Sequence, residues 1–204
     1  MNPFQYRDNN LLFVEDVSLL ELANTYGTPC YVYSKSAIQN NFQAFASTLQ
    51  DWPTRICYAV KANSNIAILN LLAKLGAGFD IVSVGELERV IRAGGDASKV
   101  VFSGVAKRSD EIRRALATGI HCFNVESPAE LQRLDAIARE MDIHTNVSLR
   151  VNPNVDPTTH PYISTGLKEN KFGVDIGQAL DIYKKIVKCS HLHAIGVDCH
   201  IGSQ

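Results

Sequence analysis

Short apolar runs alternate along the chain with longer stretches whose apolar residues recur every three or four positions. The short runs are rich in β-branched and aromatic residues and predict strands, while the spacing between them predicts helices. The runs are RICYAVK, GFDIVS, VVFSG, HCFNVES, NVSLRVN and AIGVDCHIG, beginning near Arg55, Gly78, Val100, His121, Asn146 and Ala194. Because these strands are apolar throughout, they indicate a parallel sheet that is covered by helices.

The sequence also marks where several helices begin and end. Ser83-Val-Gly-Glu86 and Ser127-Pro-Ala-Glu130 have the spacing of capping boxes, and Pro128 occupies the favoured first helical position. Both serines directly follow a predicted strand, so the strand-to-helix loops are short. Gly76 ends one predicted helix, and Asp175 begins another. The apolar stripes of these helices are Ile66, Leu69, Leu72 and Leu75, then Leu131, Leu134, Ile137 and Met141, and finally Ile182, Ile186 and Val187.

The length of the repeat selects the type of parallel sheet. The first five strands begin 21 to 25 residues apart, without a long crossover between them. This spacing favours a (β/α)8 barrel over an open doubly wound sheet. A complete barrel takes about 250 residues, whereas the sixth strand ends just before Gln204. We therefore predict an α/β fold of the (β/α)8 TIM type with about six of its eight βα units.

Two regions fall outside this repeat. Residues 1–54 predict a short helix that ends at Tyr26-Gly27, a strand over Pro29–Tyr33 and a helix that begins at Ser34. The segment from Asn152 to Gly173 is polar, rich in Pro and Gly, and follows the C-terminal end of a strand. Long loops at that position usually form lids or binding loops. A tolerated surface insertion is the alternative.

Composition and charge narrow the class of protein. Lys and Arg number 20 against 21 Asp and Glu, so the net charge of -1 lacks the basic excess that nucleic-acid binding needs. No apolar run reaches the roughly 18 residues of a membrane span, and the N-terminus lacks the apolar core of a signal peptide. The five cysteines form no CxxC motif, which is typical of reduced thiols. We expect a cytoplasmic enzyme or small-molecule binder.

Charged residues within or at the ends of apolar strands are the candidate chemistry, because the loops after the strands build the reactive face of a parallel barrel. Lys61 closes the first strand. Partial burial would make its amine nucleophilic, as a Schiff base requires, and the alternative is a point charge for a phosphate or carboxylate. Asp80 and Arg150 lie inside apolar strands and could pair across the barrel.

His200 ends the sixth strand beside Gly202 and Ser203. A histidine at a strand end next to a glycine favours a ligand site, since glycine lets the backbone approach a ligand closely. The hydroxyl of Ser203 could hold an anionic oxygen. A histidine that merely packs in the core is the alternative.

Two further motifs are set aside. Gly76-Ala-Gly78-Phe-Asp80 resembles a dinucleotide glycine loop, but it follows a predicted helix and enters a strand, the reverse of the required order. The cysteines and histidines between Cys189 and His200 match no standard spacing of metal ligands. We therefore predict neither a dinucleotide site nor a metal site.

Five segments together carry a family resemblance. They are YAVKAN at 58–63, GAGFDIVSVGEL at 76–87, RVNP at 150–153, STGLKENKFGV at 164–174 and HIGSQ at 200–204. The segments resemble the N-terminal half of the diaminopimelate decarboxylase family, which is similar to the alanine-racemase-like, fold-type III pyridoxal-phosphate decarboxylases. YAVKAN points only to the superfamily, whereas TGLKENKFG and HIGSQ are more specific to diaminopimelate decarboxylases.

The resemblance implies roles for the candidate residues. Lys61 would hold pyridoxal phosphate through a Schiff base, and His200 would stack on the pyridine ring. Ser203 would bind the phosphate of the cofactor. The supporting polar shell around the cofactor and the lysine would consist of Asp80, Glu86 and Arg150.

The resemblance also implies a reaction and a domain plan. The substrate would be meso-2,6-diaminopimelate, the products L-lysine and carbon dioxide, and the enzyme a homodimer. Residues 35–204 would form a partial cofactor-binding barrel, and residues 1–34 would pair with a C-terminal β-domain that relatives carry after two further barrel strands. The 204-residue chain alone is then expected to be inactive. A related decarboxylase of the ornithine or arginine type, and an inert truncated form, are the alternatives.

Overall fold

The chain divides into two compact units, Met1–Ile56 and Cys57–Gln204. The computed structural model describes residues 2–7, 10–155 and 172–202. The first unit holds an antiparallel sheet of β1 (Phe4–Arg7), β2 (Leu11–Val14) and β3 (Val17–Ser18), followed by helices α1 (Leu19–Tyr26) and α2 (Lys35–Ser47). Both helices confirm the prediction, and the hydroxyl of Ser34 caps α2 by accepting from the amide of Ala37 at 3.0 Å.

The N-terminal unit also departs from expectation in its strands. The strand predicted over Pro29–Tyr33 is wrong, since no strand is assigned there within the described residues. Strand propensity alone does not make a strand, because the backbone also needs a hydrogen-bonded neighbour. Conversely, the sheet of β1 to β3 was not predicted, because strands of two to four residues are too short to show an alternating pattern. The proposed pairing of residues 1–34 with a further domain stays a prediction.

The second unit contains the predicted parallel sheet. Its strands are β4 (Cys57–Ala59), β5 (Gly78–Ile81), β6 (Val100–Phe102), β7 (Cys122–Val125), β8 (Thr145–Asn152), β9 (Val174–Asp175) and β10 (Leu192–Asp198). The helices are α3 (Ile66–Lys74), α4 (Val84–Arg92), α5 (Ser109–Thr118), α6 (Pro128–Met141) and α7 (Ile176–Ile186). All six strands predicted from the sequence are present. The short strand β9 adds a parallel pairing to the end of β8.

Strand order confirms the barrel type of sheet. The six long strands lie side by side in chain order, from β4 through β8 to β10, and each neighbouring pair is parallel. A doubly wound sheet would instead reverse its order at a switch point. Buried aromatic rings fill the interior, and the rings of Phe102 and Phe123 pack 5.9 Å apart. Among the described residues, no helix is long and apolar enough to cross a membrane.

Serines cap two of the helices as predicted, although the glutamates bond differently from a standard capping box. Ser83 accepts the amide of Glu86 at 3.3 Å, while the Glu86 carboxylate accepts the amide of Val82 at 2.7 Å. In a standard box the glutamate would bond to the N-cap amide itself. The same arrangement recurs at the start of α6 with Ser127, Glu130 and Glu126. Each glutamate therefore ties the helix to the last residues before its cap.

Candidate functional site

A cavity of about 690 Å³ lies at the carboxyl ends of the parallel strands. This volume is in the range of small-molecule sites, about 300 to 1,000 Å³. Each of the six long strands, or the loop after it, contributes a polar residue to the wall. These residues are Lys61, Asp80, Ser103, Asn124, Arg150 and His200. The strand ends thus bring four of the six predicted site residues together.

Lys61 lies just beyond β4, in a 3-10 turn over Val60–Ala62. The hydroxyl of Tyr58 donates to the carbonyl of Asn63 at 3.3 Å and thereby bridges the turn. Lys61 lines the cavity and is exposed. The turn carries Lys61 past the end of β4, to the side of the sheet on which the cavity lies.

Asp80 is held within a polar network. The hydroxyl of Ser103 donates to its carboxylate at 2.5 Å, and the amide group of Asn124 donates to that hydroxyl at 3.1 Å. Burial raises the pKa of Asp80, while the hydrogen bond from Ser103 and the charges of Lys61 and Arg150 oppose the rise. The site therefore contains a carboxyl group whose ionisation depends on its neighbours.

Arg150 is almost buried on β8, but it does not form the predicted ion pair with Asp80. Its guanidinium donates to the carboxylate of Glu126 at 3.0 Å and lies 3.7 Å from that of Asp198. The ring of Phe172 packs 5.1 Å from the guanidinium carbon. The pairing follows from strand order, because β7 and β10 flank β8, whereas Asp80 lies on β5.

Glu86 lies beside the cavity without being part of its described wall. Burial raises the pKa of its carboxyl group and the negative charge of Asp80 adds to this, while the bonded amide of Val82 and the charge of Lys61 oppose it. The Glu86 carboxylate thus accepts a backbone amide just after β5, and its pKa also depends on the charges of Asp80 and Lys61.

His200 follows β10 and lines the cavity. Partial burial and the positive charges of Arg150 and Lys61 lower the pKa of its imidazole. The ring is therefore largely neutral near neutral pH. Gly202 also lines the cavity with a φ of 147°, which favours glycine. Ser203, predicted to bind a phosphate, lies outside the described residues, as does most of the TGLKENKFG segment.

Four polar residues of the site were missed by sequence reasoning, namely Ser103, Asn124, Glu126 and Asp198. A usable signal existed for Glu126, which follows the apolar strand β7 just as Lys61 follows β4. Asp198 likewise stands as a charge within an otherwise apolar strand. Applying the rule used for Lys61 and Asp80 to every strand would have found both residues.

The donor set of the cavity fits pyridoxal phosphate. Lys61 offers an amine for an aldehyde carbon, His200 offers a flat neutral ring, and Arg150 offers a fixed positive charge. Ser203, the residue predicted to bind the phosphate, lies outside the described part of the chain. Among the described residues, no cluster of three or more His, Cys, Asp or Glu side chains could hold a metal ion.

Similarity to known proteins identifies the family. The family "pyridoxal-dependent decarboxylase, pyridoxal binding domain" matches residues 35–204. The diaminopimelate decarboxylases of Pseudomonas aeruginosa and Haemophilus influenzae are 59% and 57% identical over 204 residues, which are 100% of this chain and 49% of each relative. The chain therefore spans about half the length of the curated relatives it matches.

Solved structures give the same result. Diaminopimelate decarboxylase from Helicobacter pylori, complexed with L-lysine, superposes with a TM-score of 0.89 at 46% identity, covering 91% of this chain and 47% of that chain. The M. jannaschii diaminopimelate decarboxylase, in co-complex with L-lysine, gives 0.91 at 40% identity and covers 100% and 48%. The chain belongs to the pyridoxal-dependent decarboxylase family, and residues 35–204 are its pyridoxal-binding domain.

Proposed function

We propose that this chain supplies the pyridoxal-phosphate-binding half of an enzyme that converts meso-2,6-diaminopimelate to L-lysine and carbon dioxide. The observation that carries the proposal is the convergence of Lys61, Asp80, Arg150 and His200 on one cavity at the strand ends. Relatives named diaminopimelate decarboxylase, at up to 59% identity, support the choice of substrate. The two similar structures that hold L-lysine agree with lysine as the product.

The residues of the cavity divide the work between binding and charge control. Pyridoxal phosphate, when bound, supplies an aromatic ring that takes up the electron pair left when carbon dioxide departs. Lys61 would hold the cofactor through its ε-amine. His200, whose pKa is lowered by burial and by the positive charges of Arg150 and Lys61, would offer its flat ring to the cofactor. Planar stacking needs no proton transfer by the imidazole.

The acidic residues control the charge around the lysine. Asp80 and Glu86 both lie within electrostatic range of Lys61, and burial raises the pKa of each carboxyl group. These carboxyl groups hold protons more readily than exposed ones, and the positive charge of Lys61 opposes this by favouring their ionised form. Arg150, paired with Glu126 and Asp198, presents a positive charge at the cavity wall. Ser203 completes the proposed set as the phosphate ligand.

The assignment of Lys61 is tested by reductive trapping in the full chain. With pyridoxal phosphate added, the protein should absorb in the visible range, and borohydride should fix the cofactor to Lys61 as judged by peptide mass spectrometry. Lys61→Ala should abolish the adduct. Lys99→Ala is the matched control, because Lys99 lies away from the cavity in an exposed pair with Asp96 at 3.8 Å. A cofactor fixed to another lysine would refute the assignment.

The substrate is tested separately. The full-length protein should release carbon dioxide from meso-diaminopimelate far faster than from ornithine or arginine, because the TGLKENKFG and HIGSQ segments resemble those of diaminopimelate decarboxylases. A preference for ornithine or arginine would replace the substrate while leaving the cofactor assignment in place. A cytoplasmic homodimer belongs to the same proposal, and sedimentation of the full-length protein tests the dimer.

A further inference from the structure

Lys107 is a buried cation outside the cavity, with an exposed fraction of 2%. Its ammonium donates to three oxygens, each at 2.7 Å: the carbonyls of Gly104 and Asn124 and the carboxylate of Glu130. An ammonium has three N–H donors, so every one of them is used. The three acceptors lie in the loop after β6, at the end of β7 and at the start of α6. Lys107 therefore ties three separate segments together.

Two of these segments, the loop after β6 and the start of α6, also bind Glu126. The second carboxylate oxygen of Glu130 accepts the amide of Glu126 at 3.0 Å. The amide of Gly104, whose carbonyl is bound by Lys107, donates to the Glu126 carboxylate at 2.8 Å. The backbone and the side chain of Glu126 are thus each fixed by a residue that Lys107 binds.

Glu126 is the link to the cavity. The oxygen that accepts from Gly104 also accepts from Arg150 at 3.0 Å, while the other, buried oxygen has no hydrogen-bond partner among the described residues. Because the Glu126 carboxylate is bonded through one oxygen only, its orientation depends on the positions of its two donors, Gly104 and Arg150. Arg150, in turn, lines the cavity. Hydrogen bonds therefore connect Lys107 through Glu130 and the backbone of Glu126, and through Gly104 and the Glu126 carboxylate, to Arg150 at the cavity wall.

We propose that Lys107 is a positioning residue of the site, which fixes the Glu126 carboxylate and thereby the guanidinium of Arg150. Stability alone does not explain a buried ion pair, because apolar replacements of similar volume are often as stable or more so. An apolar side chain, however, could not bind oxygens of three segments at once. The part of the inference that concerns bound cofactor rests on the proposed function.

The first test uses the full chain without cofactor and measures amide exchange by NMR. In Lys107→Met, the Gly104 amide should exchange about tenfold faster, since its acceptor is no longer held in place. The neighbouring Ser103 amide is the internal control, because it bonds to the carbonyl of Ile81 at 2.8 Å and does not depend on Glu126. Equal acceleration at Gly104 and Ser103 would show general loosening and overturn the proposal.

The second test uses the cofactor-loaded protein. Lys107→Met should weaken the visible circular dichroism of bound pyridoxal phosphate and lower kcat about tenfold, and Lys107→Met combined with Glu126→Gln should be no worse than the more impaired single variant. Arg114→Met is the matched control, because it breaks an exposed 2.6 Å pair with Glu88 that has no contact with the cavity. Additive losses, or a cofactor spectrum identical to that of the unaltered protein, would overturn the proposal.

A third variant guards against misfolding of Lys107→Met. Glu130→Gln keeps the side-chain length and an oxygen that accepts the Glu126 amide, but it removes the charge that balances Lys107. It should show the same selective exchange at Gly104 to a smaller extent, and an unchanged Gly104 would count against the proposal. An unaltered protein that takes up no cofactor would refute the proposed function alone, since the exchange test needs none.

Discussion

Removing one hydroxyl should reveal how the site controls the charge of Asp80. In Ser103→Ala, Asp80 loses a donor at 2.5 Å, and Asn124 loses the oxygen to which it donates. Hydrogen bonds to charged groups contribute about 1.5 to 3 kcal/mol, whereas those between neutral groups contribute about 0.5 to 1.5 kcal/mol. The substitution should therefore cost about 1 kcal/mol more when Asp80 is ionised than when it is protonated.

The direction of the pH dependence follows from the raised pKa of Asp80. Because burial raises it, the folded protein keeps this proton to higher pH than the unfolded chain, and stability falls as pH rises above the ordinary value of 3.8. Loss of the Ser103 donor raises the pKa further, since that bond opposes the rise. The cost of Ser103→Ala should accordingly grow from below pH 3.8 to neutral pH. Asn124 also loses its acceptor, but its side chain is uncharged at either pH. This part of the free-energy cost is therefore the same at both pH values and does not contribute to the difference.

Urea unfolding of the unaltered protein and of Ser103→Ala, at a pH below 3.8 and at neutral pH, measures how the cost of the substitution changes with pH. The matched control is Ser98→Ala, since the Ser98 hydroxyl donates to Asp96 at 2.7 Å in an exposed turn where water replaces it. The control should change stability by less than about 0.5 kcal/mol at either pH. A cost of Ser103→Ala that does not change with pH would refute the charge-dependent role of this hydrogen bond.

Three further perturbations test other parts of the structure. His200→Phe should keep much of the affinity for pyridoxal phosphate while His200→Ala loses more, as measured by cofactor titration, and equal complete loss would favour a role for the ring nitrogens. Gly119→Ala should cost about 1 to 2 kcal/mol for its positive φ, whereas Gly173→Ala should cost more in thermal unfolding because its Cβ would lie 2.9 Å from the carbonyl oxygen of Arg150. Equal costs for Gly119→Ala and Gly173→Ala would show that the backbone near Arg150 moves to accommodate the added Cβ. Ser127→Ala should lose about 1 kcal/mol in the same measurement, as expected for a helix N-cap, and no loss would refute its capping role.

The sequence predicts the parts of the fold in which burial and spacing coincide. Leu69 and Leu72 are buried at helical spacing, and the strand around Phe123 is buried on both faces, so each pattern has one structural solution. Residues 29–33 show the opposite case, because their strand propensity depends on a partner that the local pattern does not specify. The sheet of residues 4–18 is made of strands too short for any periodicity to be counted.

The sequence predicts which residues meet at the candidate site, but not which of them contact one another. Parallel strands end on one side of the sheet, so Asp80 and Arg150 had to approach the same cavity as Lys61. Which acid pairs with Arg150 depends on strand order and register, and Asp198 is its register partner on β10. The role of Lys107 could not be predicted from the sequence, since a lysine in a polar loop is expected to be exposed and this one is buried only in the folded structure.

The sequential order of the strands has a consequence for how the sheet folds during synthesis on the ribosome. Paired residues such as Cys57 and Gly78, or Val101 and Cys122, are 21 positions apart, and from β5 to β8 each new strand needs only the one made just before it. At a synthesis rate of about 5 to 20 residues per second, the next strand follows within seconds, far slower than loop closure. Folding of this sheet can therefore keep pace with translation, one strand at a time. In the doubly wound order 3-2-1-4-5-6, by contrast, the fourth strand pairs with the first, which is made three strands earlier.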